Sequence, residues 1–176
     1  MVRRAWFAFL TFAVCGAFSG GAQAQLGGLL GRRTDVPEIE VEKLRQLQLT
    51  EMKVESEAKL NGTKAPESTF VIVDVRTPEE SSVSMIPGAI SKSEFEKNRA
   101  RYRDRTVITY CTSGYRSGKY AKQLAGEGIK VTNFKGSILG WCHAELPLVT
   151  PQGEPTNRVH TANSKNRVPA KYEPVW

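Results

Sequence analysis

Cysteine is scarce in this chain: three residues in 176, at positions 15, 111 and 142. Cysteines so few and so far apart make neither a disulfide framework nor a zinc site. No apolar run reaches the ~20 residues that a membrane-spanning helix needs. The nearest approach, Ala5 to Phe18, is shorter and is interrupted by Thr11 and Gly16. No internal repeat is visible, which sets repeat architectures aside. The net charge is +7, but the basic residues are not interleaved with aromatics and form no nucleic-acid motif. What is present is ordinary: 40% hydrophobic and 24% charged residues. That excludes a wholly disordered or collagen-like chain and supplies one small core.

The apolar residues are unevenly spread. The first 24 positions hold 16 of them, including four of the seven Phe. Arg3 and Arg4 precede the apolar stretch, and Ala22-Gln23-Ala24 follows it. A charged start, a short apolar run and an A-x-A site describe a secretory signal peptide. Residues 1–24 are therefore expected to be an export signal cleaved after Ala24. The mature protein would be periplasmic or extracellular, with no stable membrane span. Cleavage removes two Arg and Cys15, leaving a charge of +5 with Cys111 and Cys142. In an oxidising compartment these two could pair, or one could remain a reactive thiol.

Residues 25–35 read as a flexible lead-in. Val41, Leu44 and Leu47 lie on one helical face. The polar stretch 51–69 reads as a solvated helix end and loop. Phe70-Val71-Ile72-Val73 is a continuous β-favouring run, as in a strand buried on both faces. Thr77-Pro78-Glu79-Glu80 starts a helix, with Thr77 as N-cap and Pro78 at its first position. A charged helix is expected over Ser93 to Tyr102, and strands over Val107 to Tyr110 and Ile129 to Phe134. Further helices are expected over Arg116 to Ala125 and Ser137 to Ala144. Strands alternating with helices predict an α/β domain over 36–151, with a central, mostly parallel sheet flanked by helices in three layers. Residues 152–176 turn polar and read as a tail, partly ordered at most.

Parallel α/β sheets place chemistry in the loops beyond the carboxyl ends of their strands. Cys111 sits at such a place, between a strand and a helix. The loop Thr112-Ser113-Gly114-Tyr115 can curl and aim backbone N–H groups at the sulfur, with the helix N-terminus adding positive potential. Making a thiol a hundredfold easier to ionise takes about 2.7 kcal/mol in favour of the thiolate. A helix dipole supplies about 0.3–1 kcal/mol, or about 2 when partly buried. Several N–H bonds, with a cation such as Arg116, must supply the rest. Cys142 beside Trp141 reads as a small core residue.

The loop Cys111-Thr112-Ser113-Gly114-Tyr115-Arg116-Ser117 resembles the active-site loop of rhodanese-type sulfurtransferases. Three further blocks follow that family's order. They are Val73-Asp74-Val75-Arg76-Thr77-Pro78-Glu79-Glu80, Ile86-Pro87-Gly88-Ala89-Ile90 and the Gly136 to Val149 stretch. Met85 stands where a His is usual. The resemblance implies the rhodanese-like fold and a sulfurtransferase that needs no cofactor or metal. Cys111 would take a sulfane sulfur from a small sulfur-containing anion such as thiosulfate, or from a persulfide donor. A thiol or other thiophilic acceptor would then remove it, in ping-pong fashion. Thr112 to Ser117 would bind the substrate, and Asp74 and Arg76 would support the site, most simply as a structural ion pair. Arg116 follows Cys111 by five positions. Related phosphatase and arsenate-reductase loops are one residue longer, so the shorter loop favours sulfur. A non-catalytic rhodanese-like binding or sensor module is the alternative from another class. No pattern in the sequence sets an oligomeric state.

Overall fold

The computed structural model describes residues 35–176. The expected export signal, and all of the lead-in before Asp35, lie outside the described residues. Five strands form one sheet in the order β1-β5-β4-β2-β3, with every pairing parallel. They are β1 (Glu38–Ile39), β2 (Phe70–Asp74), β3 (Ala89–Ser91), β4 (Thr106–Tyr110) and β5 (Val131–Phe134). The helices are α1 (Val41–Leu60), α2 (Pro78–Val83), α3 (Lys92–Lys97), α4 (Tyr115–Gly126) and α5 (Ser137–His143).

Period-two alternation in the central strands divides the core into two layers. Phe70, Ile72, Ile108 and Tyr110 face Leu44 of α1 and Ile138 and Trp141 of α5. Val71, Val73 and Val107 face Phe95 of α3 and Tyr120, Ala121 and Leu124 of α4. Each strand is thus covered on both sides, which is why β2 reads as an unbroken apolar run. The three-layer α/β expectation holds. The helix expected over Ser93 to Tyr102 is divided at Asn98 into α3 and a 3-10 turn, Arg99–Tyr102. Both ends still bury an aromatic, Phe95 and Tyr102, whose rings stack 5.8 Å apart.

The C-terminal segment differs most from expectation. After β6 (Leu148–Val149) come β7 (Pro155–Thr156), β8 (Arg158–His160) and β9 (Glu173–Val175). β6 pairs antiparallel with β7, and β8 pairs parallel with β9. Val159 is fully buried and Tyr172 nearly so, both in the layer that holds Trp141. The Tyr172 hydroxyl donates to Leu146 O at 2.5 Å. Two apolar anchors in polar surroundings hold this segment against the domain, so it is an ordered strap rather than a largely free tail.

Candidate active site

Chain direction and sheet topology bring Cys111 to the carboxyl end of central strand β4. Gly114 takes φ +92°, the left-handed region, and lets the chain turn into α4. A Cβ there would also land inside the contact shell of Lys135 O, so glycine is required twice over. The turned loop directs the Gly114 N–H to Cys111 Sγ at 3.2 Å. Burial pushes the thiol pKa up. Hydrogen bonds from the Ser117 N–H and hydroxyl and from the Ser113 and Gly114 N–H groups outweigh it, and the net shift is downward. The Ser117 hydroxyl has a second acceptor within reach, Gly114 O at 3.2 Å.

Helix α5 fixes the loop from below. Its Ile138 and Leu139 N–H groups have no acceptor within the helix and donate to Cys111 O (3.1 Å) and Thr112 O (3.3 Å). Ser137 Oγ accepts from the Cys111 N–H at 3.1 Å and donates to Phe134 O at 2.9 Å. It lies 4.0 Å from Cys111 Sγ. Ser137 is buried and held at φ +53°, a strained setting for a residue with a Cβ. The strain is stored directly beneath Cys111.

Arg116 is engaged by Glu80. Its Nη1 and Nη2 lie 2.6 and 2.7 Å from the two carboxylate oxygens, and Nη2 also donates to Thr112 Oγ1 at 2.9 Å. Thr112 in turn donates to Glu80 Oε1 at 2.9 Å. Glu80 closes a capping box at the start of α2, with the Thr77 N–H donating to its Oε2. Burial raises the Glu80 pKa, but Arg116, Thr77 and Thr112 hold it down to about 2. The guanidinium expected to help the thiol is held chiefly by this carboxylate and also interacts with Cys111.

Asp74 and Arg76 sit behind the loop and do not line the cleft over Cys111. They form a fully buried bidentate pair. Asp74 Oδ2 accepts from Tyr110 Oη at 2.6 Å, and Arg76 donates to Ser84 O at 2.5 Å. Burial and the Asp74 carboxylate push the Tyr110 phenol well above its usual range, so it stays a donor. The Tyr110 hydroxyl also accepts from the Ile86 N–H. The pair thus ties the end of β2 to the residue preceding Cys111. Met85 is buried and bridges to Val149 of β6.

A cleft of about 450 Å³ opens over Cys111, lined by Thr112, Ser113, Tyr115 and Arg116 of the loop and by Glu79 and Glu80 of α2. Of the loop residues expected to bind substrate, Gly114 and Ser117 do not line it. The sequence did not reveal the carboxylates, which read only as a helix start, or Ser137. Nor did it reveal the strap residues His160, Asn163 and Asn166, which also line the cleft. The capping-box spacing Thr77-x-x-Glu80 was the one available signal, and it reported the cap rather than the ion pair. Cys142 is a fully buried free thiol whose pKa burial pushes up to about 12, and Cys111 is also free.

The domain thus cradles a cysteine at the end of the central strand of a parallel α/β sheet. The Rhodanese-like domain family matches residues 55–144, and this chain belongs to that family. A protein named sulfurtransferase from Allochromatium vinosum is 36% identical over 110 residues, covering 57% of this chain and 96% of its own length. A putative sulfurtransferase from Bacillus subtilis is 32% identical, over 52% of this chain and 91% of its own. A solved thiosulfate sulfurtransferase from Pseudomonas aeruginosa is 24% identical with a TM-score of 0.48, over 68% of this chain and 21% of that one.

Proposed function

We propose that this protein is an exported sulfurtransferase that works through a Cys111 persulfide. The Cys111 thiolate attacks the outer sulfur of thiosulfate or of a persulfide donor. The donor's sulfur–sulfur bond breaks and its electron pair leaves with sulfite or a thiolate. A thiophilic acceptor, a thiol for example, then attacks the sulfane sulfur and restores the Cys111 thiolate. The Ser113, Gly114 and Ser117 N–H groups that draw down the thiol pKa also suit a bound persulfide anion. The single observation that carries this reading is the thiol at the end of β4, hydrogen-bonded by the curled loop and facing an open cleft. The loop from Cys111 to Arg116, one residue shorter than related phosphatase and arsenate-reductase loops, argues against those activities.

Mass spectrometry tests the reading. Mature protein incubated with thiosulfate or glutathione persulfide should gain one sulfur on Cys111 and yield thiocyanate with cyanide. Cys111→Ser should do neither. Absence of sulfur uptake from every donor would leave the protein a rhodanese-like binding module. Export is tested separately by the N-terminal sequence of the secreted protein, expected to begin at Gln25.

A further inference from the structure

The C-terminal strap carries a histidine into the cleft wall. His160 ends β8, and its side chain is 19% exposed. The fully buried Val159 anchors it from below, and Thr161 N–H donates to Val175 O at 2.8 Å just beyond it. Ala162 takes φ +66° and donates its N–H to His160 Nδ1 at 3.1 Å. That bond assigns Nδ1 as the accepting nitrogen and leaves Nε2 as the one to donate. Glu80 Oε1, 4.0 Å from Nδ1, already accepts from Thr112 and Arg116.

The charge of the cleft bears on the donor. Arg116 is paired with Glu80, and Glu79 adds a second carboxylate to the wall. The strap side adds the hydrogen-bonding groups of His160, Asn163 and Asn166. Such a wall suits an uncharged or singly charged sulfur donor with hydrogen-bonding groups better than a compact dianion.

We propose that His160 contacts the substrate in the sulfur-transfer step, donating an Nε2–H hydrogen bond to a departing alkyl thiolate, and that alkyl persulfides are the preferred donors. The inference rests on the sulfurtransferase reading above. Cys111 S⁻ attacks the terminal sulfur of RS–SH, and a new sulfur–sulfur bond forms as the old one breaks. The electron pair leaves on RS⁻, and the terminal sulfur keeps its proton as Cys111–S–SH. One negative charge enters and one leaves, and His160 transfers no proton. A basic alkyl thiolate gains more from this hydrogen bond than the weakly basic sulfite released by thiosulfate.

Donor-resolved kinetics of His160 variants test the proposal. The donors are glutathione persulfide, a persulfidated cysteine peptide and thiosulfate; the first two separate a free persulfide from a peptide-borne one. His160→Ala should lower kcat/KM about tenfold with whichever persulfide is used, the value of one hydrogen bond to a charged group. With thiosulfate the loss should be about twofold. His160→Gln, which can place an N–H near the Nε2 position, should recover persulfide transfer to within about threefold. An unchanged alkylation rate at Cys111 and an unchanged melting temperature would show the cradle intact in both variants. Equal losses with all three donors, no loss with any, or a Gln variant as poor as Ala would each overturn the role of His160. The sulfurtransferase reading would stand in those cases, provided the wild type still loads sulfur. A wild type that loads no sulfur would overturn both.

Discussion

Arg116 and Glu80 meet fork to fork, with Nη1 2.6 Å from Oε2 and Nη2 2.7 Å from Oε1. The pair joins the first turn of α4 to the first turn of α2 across the mouth of the Cys111 loop. The site therefore favours its thiolate mainly with backbone N–H groups and a serine hydroxyl, while its guanidinium braces the rim and interacts with Cys111 as well.

Glu80→Gln tests that division. Freed from its carboxylate, Arg116 should attract a dianion, and KM for thiosulfate should fall severalfold in steady-state assays. An unchanged KM would separate Arg116 from the substrate's charge. The variant should also lose part of the acid sensitivity of folding. Glu80 titrates at about 2 in the folded protein against an ordinary 4.5. Its stabilising contribution is therefore full above about pH 4.5 and is lost as pH falls through about 2. Denaturant unfolding at stepped pH should show the wild type losing stability through that window more steeply than the variant.

Gly114→Ala should damage both fold and cradle. The left-handed φ alone costs about 1–3 kcal/mol for a residue with a side chain, and the new methyl meets Lys135 O. Thermal melting should drop by several degrees. Cys111 alkylation should slow at fixed pH, because the Gly114 N–H is displaced from the sulfur.

The two thiols should label in opposite ways. At neutral pH iodoacetamide should modify Cys111, which lines the cleft and whose pKa is lowered, and spare Cys142, whose thiol burial pushes up to about 12. The Cys111 rate should reach half-maximum below the pH of a free cysteine. Ser117→Ala should move that midpoint upward, since one of the bonds favouring the thiolate is gone. Peptide mapping of the labelled protein across pH reads both effects.

Ser137 separates strain from hydrogen bonding. Ser137→Ala keeps the left-handed strain and loses the acceptor for the Cys111 N–H. Ser137→Gly loses the same acceptor but relieves the strain. The Gly variant should be the more stable of the two, by about 1 kcal/mol in chemical denaturation. Equal stabilities would mean that the local backbone stores no strain.

The readable parts of the sequence were those where one residue's chemistry decides its surroundings. Phe70 to Val73 announce a strand because both faces of that strand are covered by helices. The Cys111 loop announces itself because its small residues follow a strand and precede a helix. The strap was not readable, because its two anchors, Val159 and Tyr172, are separated by twelve residues of mostly polar chain with no regular period. Glu80 was read for the local job it does at a helix cap; its contact with Arg116, 36 positions away, is set by how α2 and α4 pack. β1 is two residues long and exists because it pairs with β5, a tertiary event with no signal in Glu38–Ile39 alone.

The most direct measurement is the intact mass of the mature protein after exposure to glutathione persulfide and to thiosulfate, with Cys111→Ser alongside. One added sulfur on the wild type, located to Cys111 and discharged by a thiol acceptor or cyanide, is the predicted result. A wild type that gains no sulfur from either donor, or a Cys111→Ser protein that gains as much, would contradict it.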